Sequence, residues 1–254
     1  MDANQKRSEL KFVLPGESAS GVWSAVAAQM EADRGAVGGY PVVSEYFDST
    51  DRHSYWQREL GVPSRRRMRL RVYGSPGCGE APSAFLEIKQ KVDGVTVKRR
   101  VSLALSEMDK VAAGELPEEG PAASVEESRT LSEATELFRG EGVRPVLQTR
   151  YRRHAFDSGP EGTLRITIDK DPCCRLAGSP LRPDDPGIDQ PLVEEGAAIM
   201  EVKTSAAVPV WLRAMVGDFR LVPMRFSKYA TGLDLYEFRN YTLSSSVPEP
   251  VMRF

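Results

Sequence analysis

Short stretches in which hydrophobic and polar residues alternate predominate along this chain, and they predict β-strands. Leu10 and Phe12 alternate with Glu9 and Lys11, so the apolar side chains share one face of a strand and the charged ones the other. Asp93-Gly94 between two such stretches predicts a tight hairpin. By this pattern the strands cover residues 7–14, 41–48, 64–73, 84–92, 95–103, 146–156, 163–170 and 197–204.

A longer periodicity predicts a few helices between the strands. Val22, Val26 and Met30 would share one face of a helix over 18–32. Ser106 is expected to be the N-cap of a short helix. Longer helices are predicted over 124–139, closed by Gly140, and over 208–218.

Proline and glycine recur throughout residues 171–196, which predicts a long and poorly ordered loop there, and a second loop over 74–83. No internal repeat or sharp change of composition divides the chain. We therefore expect residues 1–240 to form a single domain and residues 241–254 a C-terminal tail.

Composition places the chain among globular proteins, with 254 residues, 41% of them hydrophobic and 28% charged. Lys and Arg number 34 against 36 Asp and Glu, a balance that disfavours nucleic-acid binding, so a polyanion site would need a local concentration of cations. The three cysteines lack CxxC spacing. With no apolar leader and no run of 18 apolar residues, the prediction is a cytoplasmic protein without a membrane segment.

Charges are unevenly distributed over the predicted strands. Arg65, Arg67, Arg69 and Arg71 share one face of theirs. A solvated face of an antiparallel sheet explains any single strand of this kind. Alternatively, the strands are numerous enough to curl into a barrel with these faces inward, and buried unpaired cations would then require a polyanionic ligand. The pattern alone leaves both interpretations open.

Common catalytic motifs are absent from the sequence. It contains no P-loop, no G-x-S-x-G elbow and no H-E-x-x-H. If the protein is an enzyme, its chemistry is expected to be electrostatic rather than nucleophilic.

Several short motifs together resemble a known family. They are RSELKF at 7–12, YFDS at 46–49, RLRVYG at 69–74, EIK at 87–89, RHAF at 153–156, LRITID at 164–169, IMEVK at 199–203 and RFSKY at 225–229. In this order they are similar to the VTC domain, the polyphosphate polymerase domain of the vacuolar transporter chaperone, which is a triphosphate tunnel metalloenzyme. The resemblance implies an α+β fold: an antiparallel β-barrel or tunnel with a charged interior and helices packed outside.

The resemblance also implies a set of site residues. Substrate-binding positions would be Lys11, Lys203 and Arg225, and Glu201 would bind the divalent metal, Mn²⁺ or Mg²⁺. Arg225 departs from the lysine of the eukaryotic polymerase. The catalytic cations implied are Arg69, Arg71, Lys89, Arg153, Arg165 and Lys228.

The implied function is transfer of the γ-phosphate of ATP to a growing polyphosphate chain. ATP and polyphosphate would be the partners, with no nucleic acid. Tunnel hydrolases begin with Glu-x-Glu-x-Lys, whereas this chain has Arg7 at the first position, which favours the polymerase. A tunnel triphosphatase and a non-catalytic polyphosphate-binding protein remain the alternatives.

Overall fold

The computed structural model describes residues 8–33, 38–74, 83–92, 95–116, 124–158 and 162–238. Most of them belong to one antiparallel sheet. Its strands are β1 (Ser8–Leu14), β2 (Glu31–Ala32), β3 (Tyr40–Asp48), β4 (Arg65–Tyr73), β5 (Ser83–Val92), β6 (Val95–Leu103), β7 (Arg144–Asp157), β8 (Leu164–Leu176), β9 (Gln190–Pro191) and β10 (Ala198–Thr204).

Helices connect the strands. They are α1 (Gly16–Ala27), α2 (His53–Glu59), α3 (Met108–Ala112), α4 (Val125–Gly140), α5 (Val210–Asp218) and α6 (Lys228–Leu233). The Ser124 hydroxyl accepts the amide hydrogen of Glu127, whose carboxylate accepts that of Ser124 in return. This capping box satisfies two backbone donors and fixes the start of α4. A 3₁₀ turn, Leu105–Glu107, precedes α3, and a π-helix, Asp234–Phe238, follows α6.

The sheet is curled, with strand order β1-β10-β8-β7-β3-β4-β5-β6. Among the described residues β1 and β6 form its two ends without pairing to each other. Lys89 of β5 nevertheless lies close enough to Glu9 and Lys11 of β1 to interact electrostatically. The sheet therefore bends round to form a half-barrel, and the predicted α+β fold with an antiparallel, charged interior is confirmed.

Alternation along the strands separates a helix-covered outer face from an inner one. On the outer face, α1 and α5 pack on apolar residues of β1, β8 and β10, including Phe12, Ile166 and Met200. Near the other end of the strand order, α3 and α4 cover Leu70 of β4 and Leu86 of β5. We call the concave side, opposite these helices, the lumen. Burial of one face holds the register, because a one-residue slip would move charged side chains into the core.

Two predictions about the helices are wrong. The first helix ends at Ala27 rather than residue 32, because Glu31 and Ala32 pair with β7 as β2. Ser106 does not begin a helix; the 3₁₀ turn starts at Leu105, where the Glu107 carboxylate accepts the amide hydrogen of Ala104.

Residues 171–196 are not the poorly ordered loop that was predicted. Strand β8 continues through them to Leu176, and Leu181, Ile188 and Leu192 are buried. A positive φ at Asp171, close to a register shift in the β7–β8 pairing, lets the strand continue past the interruption.

Some predictions fall outside the described residues: Arg7, most of the loop 74–83, the hairpin turn at 93–94 and the tail 241–254. Pairing of Val92 with Val95 confirms the hairpin itself. Cys173 and Cys174 are free thiols.

Candidate functional site

Charged residues from seven of the strands line the lumen. Residues paired in register share a face of the sheet, so Glu9, Lys203 and Arg165 project together, as do Arg69 and Glu87. Lys228 reaches the same space from the first turn of α6. The apolar faces of the seven strands pack against the helices, so their charged faces all lie on the concave side. Folding therefore brings together cations that are far apart in sequence.

Glu87 of β5 connects cations of the two neighbouring strands, β4 and β6. Its carboxylate lies 2.6 Å from Nη2 of Arg69 on β4 and 2.5 Å from Nζ of Lys98 on β6. Burial would raise the pKa of Glu87, but the charges of Arg69, Arg71 and Lys98 outweigh it and hold the pKa well below its usual range. The carboxylate therefore stays ionised at neutral pH.

Asp169 has the same role across the lumen. It accepts two hydrogen bonds from Arg153, Nε to Oδ1 at 2.7 Å and Nη2 to Oδ2 at 2.9 Å, and a third from Lys228 Nζ at 2.5 Å. Burial opposes ionisation, but Arg153 and Lys228 lower the pKa of Asp169 far below normal. The bidentate contact fixes the plane of the Arg153 guanidinium.

Glu201 is the third shared carboxylate. It contacts Lys203 on its own strand, and its second oxygen lies 3.4 Å from Lys11 Nζ. Glu9 reaches the same ammonium at 3.2 Å. Burial would raise the pKa of Glu201, but Lys203 and Lys11 lower it to about 2.

Other lumen cations have no carboxylate within ion-pair distance among the described residues. Arg71 is only 5% exposed and donates to Ser44 Oγ at 2.9 Å, while Arg67 donates to Ser227 Oγ at 3.3 Å. Lys89 makes no direct ion pair within the same part of the chain. Burial lowers the pKa of both Arg67 and Lys89. Positive charge therefore exceeds negative charge in the lumen.

Tyrosine and threonine hydroxyls complete the lining. Among the described residues the hydroxyls of Thr149, Tyr151 and Thr167 are buried without a hydrogen-bond partner. Tyr151 lies beneath two cations, with the Lys228 ammonium 4.3 Å and the Arg153 guanidinium carbon 5.2 Å from its ring centre. Buried hydroxyls are normally satisfied by protein, water or ligand. These three therefore have hydrogen-bonding capacity that the described part of the protein does not use.

Most of the residues predicted for the site converge in the lumen. They are Lys11, Arg69, Arg71, Lys89, Arg153, Glu201, Lys203 and Lys228. Arg165 lies at its edge, where it binds Asp33 and Asp157 at 2.7 and 2.6 Å. Arg225 is exposed and makes no ion pair within the described part of the chain. The roles predicted for these residues stay predictions.

Several lumen residues were not in the predicted set: Arg67, Lys98, Tyr46, Glu87 and Asp169. The alternation of β4, β5 and β8 already placed Arg67, Glu87 and Asp169 on the polar faces. What the sequence did not show is which strands lie side by side, and hence which carboxylate serves which cations.

A divalent cation fits one part of this arrangement. The described residues include no group of three or more His, Cys, Asp or Glu side chains able to enclose a metal ion. Glu9 and Glu201, however, share the Lys11 ammonium, so both carboxylates border the same space. Hard cations such as Mg²⁺ commonly take one or two carboxylates and complete their coordination with substrate phosphates and water.

Comparison with known proteins bears on this site. Residues 6–236 match the model of the VTC domain. The chain belongs to the VTC domain family. Two curated relatives of this VTC domain are named vacuolar transporter chaperone complex subunit 4. The one from Trypanosoma brucei brucei is 27% identical over 226 residues and the one from Trypanosoma cruzi 28% over 225, in each case over 77% of this chain and 28% of the relative. The chain thus spans little more than a quarter of their length.

Solved structures share the fold of this VTC domain at low sequence identity. A putative adenylyl cyclase from Hippeastrum with a dominant triphosphatase activity aligns over 93% of this chain and 96% of its own, with 15% identity and a TM-score of 0.52. A putative adenylate cyclase from Bacillus halodurans aligns over 86% and 92%, with 12% identity and a TM-score of 0.51. At this level of identity the two structures show only that the fold is shared.

The helices of this VTC domain are short. Within the described ranges none is both long and apolar enough to cross a membrane.

Proposed function

We propose that this VTC domain is a polyphosphate polymerase, which transfers the γ-phosphate of ATP to the end of a polyphosphate chain in the lumen. The observation that carries the proposal is the uncompensated positive charge there. Arg67, Arg71 and Lys89 face a partly enclosed space without a carboxylate partner in the described residues. Uncompensated cations in such a place are unfavourable without an anion, and family membership indicates which anion to test.

Transfer between two phosphates needs no protein nucleophile. A terminal oxygen of the acceptor chain attacks the γ-phosphorus of ATP, the bond from that phosphorus to the β,γ-bridging oxygen breaks, and ADP leaves with that oxygen. The acceptor is already anionic at neutral pH. Catalysis then consists of bringing two polyanions into line and neutralising charge on the transferred group.

Residues of the lumen are suited to both tasks. Asp169 holds Arg153 and Lys228, and Glu87 holds Arg69, by direct contacts. A guanidinium has five donors, and one carboxylate uses at most two of them, so Arg69 and Arg153 keep donors free for phosphate oxygens. Fixed cations that need no rearrangement stabilise charge developing on those oxygens.

Glu201, with Glu9 beside it, would hold the divalent cation, Mn²⁺ or Mg²⁺. When bound, the cation would neutralise phosphate charge and act as a Lewis acid. Lys11 lies between the two carboxylates and would turn toward phosphate when a metal takes its place.

The direct experiment follows a labelled γ-phosphate. We expect the purified protein, given labelled ATP, Mn²⁺ or Mg²⁺ and a short polyphosphate primer, to place the label in a longer chain and to release one ADP for each phosphate incorporated. Label recovered as orthophosphate, without polymer under any metal or primer, would replace the polymerase with a triphosphatase. Tight polyphosphate binding with no turnover would leave a binding protein.

A further inference from the structure

Arg67 is a lumen cation without a counter-charge among the described residues. Within that part of the chain its buried Nε has no hydrogen-bond partner. Its Nη1 donates to Ser227 Oγ at 3.3 Å, and its guanidinium carbon lies 5.1 Å from the ring centre of Tyr229. Within the described residues no carboxylate pairs with it. The half-buried guanidinium of Arg67 therefore keeps its positive charge uncompensated by the described residues, which favours contact with an anion.

Tyr46 lies beside Arg67 and supports the same conclusion. Its ring is 5.2 Å from that of Tyr229, and its hydroxyl accepts a 3.5 Å contact from Arg69 Nη1. Burial would raise the pKa of Tyr46, but the surrounding cations outweigh it and lower the pKa to about 7. Those cations are Arg67, Arg69 and Arg71 on β4 and Lys228 on α6. Positive potential in this part of the lumen is therefore not neutralised by the protein.

Ser227 supplies a further donor. Its oxygen accepts from Arg67 and from the amide of Ala230, while its own proton has no acceptor within the described chain. A hydroxyl, a phenol and a guanidinium are thus grouped at the α6 end of the lumen.

We propose that Arg67, Tyr46 and Ser227 form an additional phosphate subsite, which binds a phosphate of a linear polyphosphate beyond those held at Arg69 and Arg71. The proposal rests on polyphosphate being the ligand of the proposed function. Alternate residues of a strand lie about 6.5–7 Å apart, so Arg67, Arg69 and Arg71 form a continuous row along β4. One extended polyanion can contact the whole row, whereas a single orthophosphate contacts only part of it.

Chain length tests this subsite. We expect titration calorimetry of the unaltered protein, without ATP, to show tighter binding of long polyphosphate than of tripolyphosphate. Arg67→Gln should weaken binding of the long chain about 10- to 100-fold, the effect of losing one charge-assisted hydrogen bond, and weaken binding of tripolyphosphate much less. Tyr46→Phe should also reduce the ratio of the affinity for long polyphosphate to the affinity for tripolyphosphate. Arg67→Lys, which keeps the charge, should restore part of it.

Arg66→Gln is the matched control. Arg66 is the neighbouring residue of β4 but lies on the outer face, where it pairs with Glu141; we expect both affinities to be unchanged. Thermal unfolding of each variant shows whether it is folded, and Arg67→Lys together with Tyr46→Phe decides the question if Arg67→Gln does not fold.

Other outcomes overturn the subsite. The unaltered protein could bind long polyphosphate and tripolyphosphate with equal affinity, or Arg67→Gln could still bind the long chain more tightly by the same factor. Either result would assign Arg67 a structural role only. Equal weakening of both ligands would assign it to the triphosphate site. A loss confined to orthophosphate would indicate a free-phosphate site instead. Failure of the unaltered protein to bind any polyphosphate would overturn the proposed function as well, so the two failures are distinguishable.

Discussion

At the scale of single residues, the lumen combines fixed cations with free ones. Glu87, Asp169 and Glu201 each serve two cations. Arg71 and Arg67 instead hydrogen-bond to hydroxyls, Ser44 and Ser227, which position a guanidinium without neutralising it. The shared carboxylates orient part of the site, and under the proposed function the unshared cations would attract the polyanion.

Arg71 should be required for activity but not for folding. Its side chain points away from the apolar outer face, so Arg71→Ala leaves Leu70 and Val72 packed. We expect polymer synthesis to fall by roughly one to two decades, since a charge-assisted contact to phosphate contributes about 1.5–3 kcal/mol. Rates measured at matched protein concentration, with Arg66→Ala as the outer-face control, check this. Unfolding of Arg71→Ala, with normal specific activity of the folded fraction, would contradict it.

Substitution of Glu201 should reduce metal-dependent turnover without weakening metal-free binding of polyphosphate. Glu201→Gln keeps the shape of the side chain and removes a negative charge that repels phosphate. We expect metal-free binding of polyphosphate to be retained or strengthened, while metal-dependent turnover falls steeply. Calorimetry without metal and a rate assay with Mn²⁺ measure the two effects.

Glu195→Gln is the control for this change, because Glu195 is exposed and forms no ion pair in the described chain. Near-normal turnover of Glu201→Gln would show that Glu201 serves only its two lysines.

Tyr46 should take up a proton when polyphosphate binds. With a pKa of about 7, the phenol is mostly ionised at pH 8 in the free protein. A bound polyanion offsets the nearby cations and raises the pKa, so Tyr46 becomes protonated. We expect the calorimetric binding enthalpy at pH 8 to vary with the ionisation enthalpy of the buffer, and this dependence to shrink in Tyr46→Phe. The same buffer dependence in both proteins would assign the proton to another group.

At the scale of elements, α6 links the lumen to the sheet. Its residues Tyr229, Ala230 and Leu233 pack with Tyr46 and Leu147 in an apolar cluster. The Tyr229 hydroxyl donates to Asp48, which is fully buried and also accepts amide hydrogens from the start of α2. One carboxylate at the end of β3 therefore fixes both α2 and the helix that carries Lys228.

Tyr229→Phe should destabilise the protein through Asp48. The ring contacts are kept, but the buried carboxylate loses a donor, which reduces the free energy of unfolding by about 1.5–3 kcal/mol. Denaturant unfolding measures this. Tyr236→Phe is the control, because Tyr236 is partly exposed and makes only a 3.4 Å hydrogen bond. Equal, small effects of the two substitutions would contradict the linking role of Asp48.

The same contacts explain which elements the sequence could predict. Strands with one apolar face, such as β4 and β10, followed from local alternation. Helix α2 was missed because it is short and its first amides bind Asp48, five residues before the helix begins. The extension of β8 was missed because Pro172 interrupts its pattern, whereas the structure pairs this segment with β7 and β9. In both cases the element depends on contacts that the local hydrophobic pattern does not contain: hydrogen bonds to Asp48 for α2, and strand pairing for the end of β8.

At the scale of the whole molecule, a chain with a net charge of −2 contains a lumen rich in positive charge. Alternation predicted that Lys11 and Arg69 lie on polar faces, and family resemblance added Arg153 and predicted that these faces converge. Alternation and resemblance did not predict which carboxylates pair with which cations, or that Arg165 lies at the edge of the lumen. Both features depend on strand order and on the curvature of the sheet. Separation of charge between lumen and surface would allow this acidic protein to bind a polyanion.

A crystal structure with a linear polyphosphate would show directly where the polyanion binds. We expect a polyphosphate chain inside the lumen, with its oxygens within hydrogen-bond distance of Arg69, Arg71 and Arg153, and Glu87 and Asp169 still in contact with their cations. Polyphosphate bound on the outer face, with the lumen empty at a saturating concentration of ligand, would contradict it.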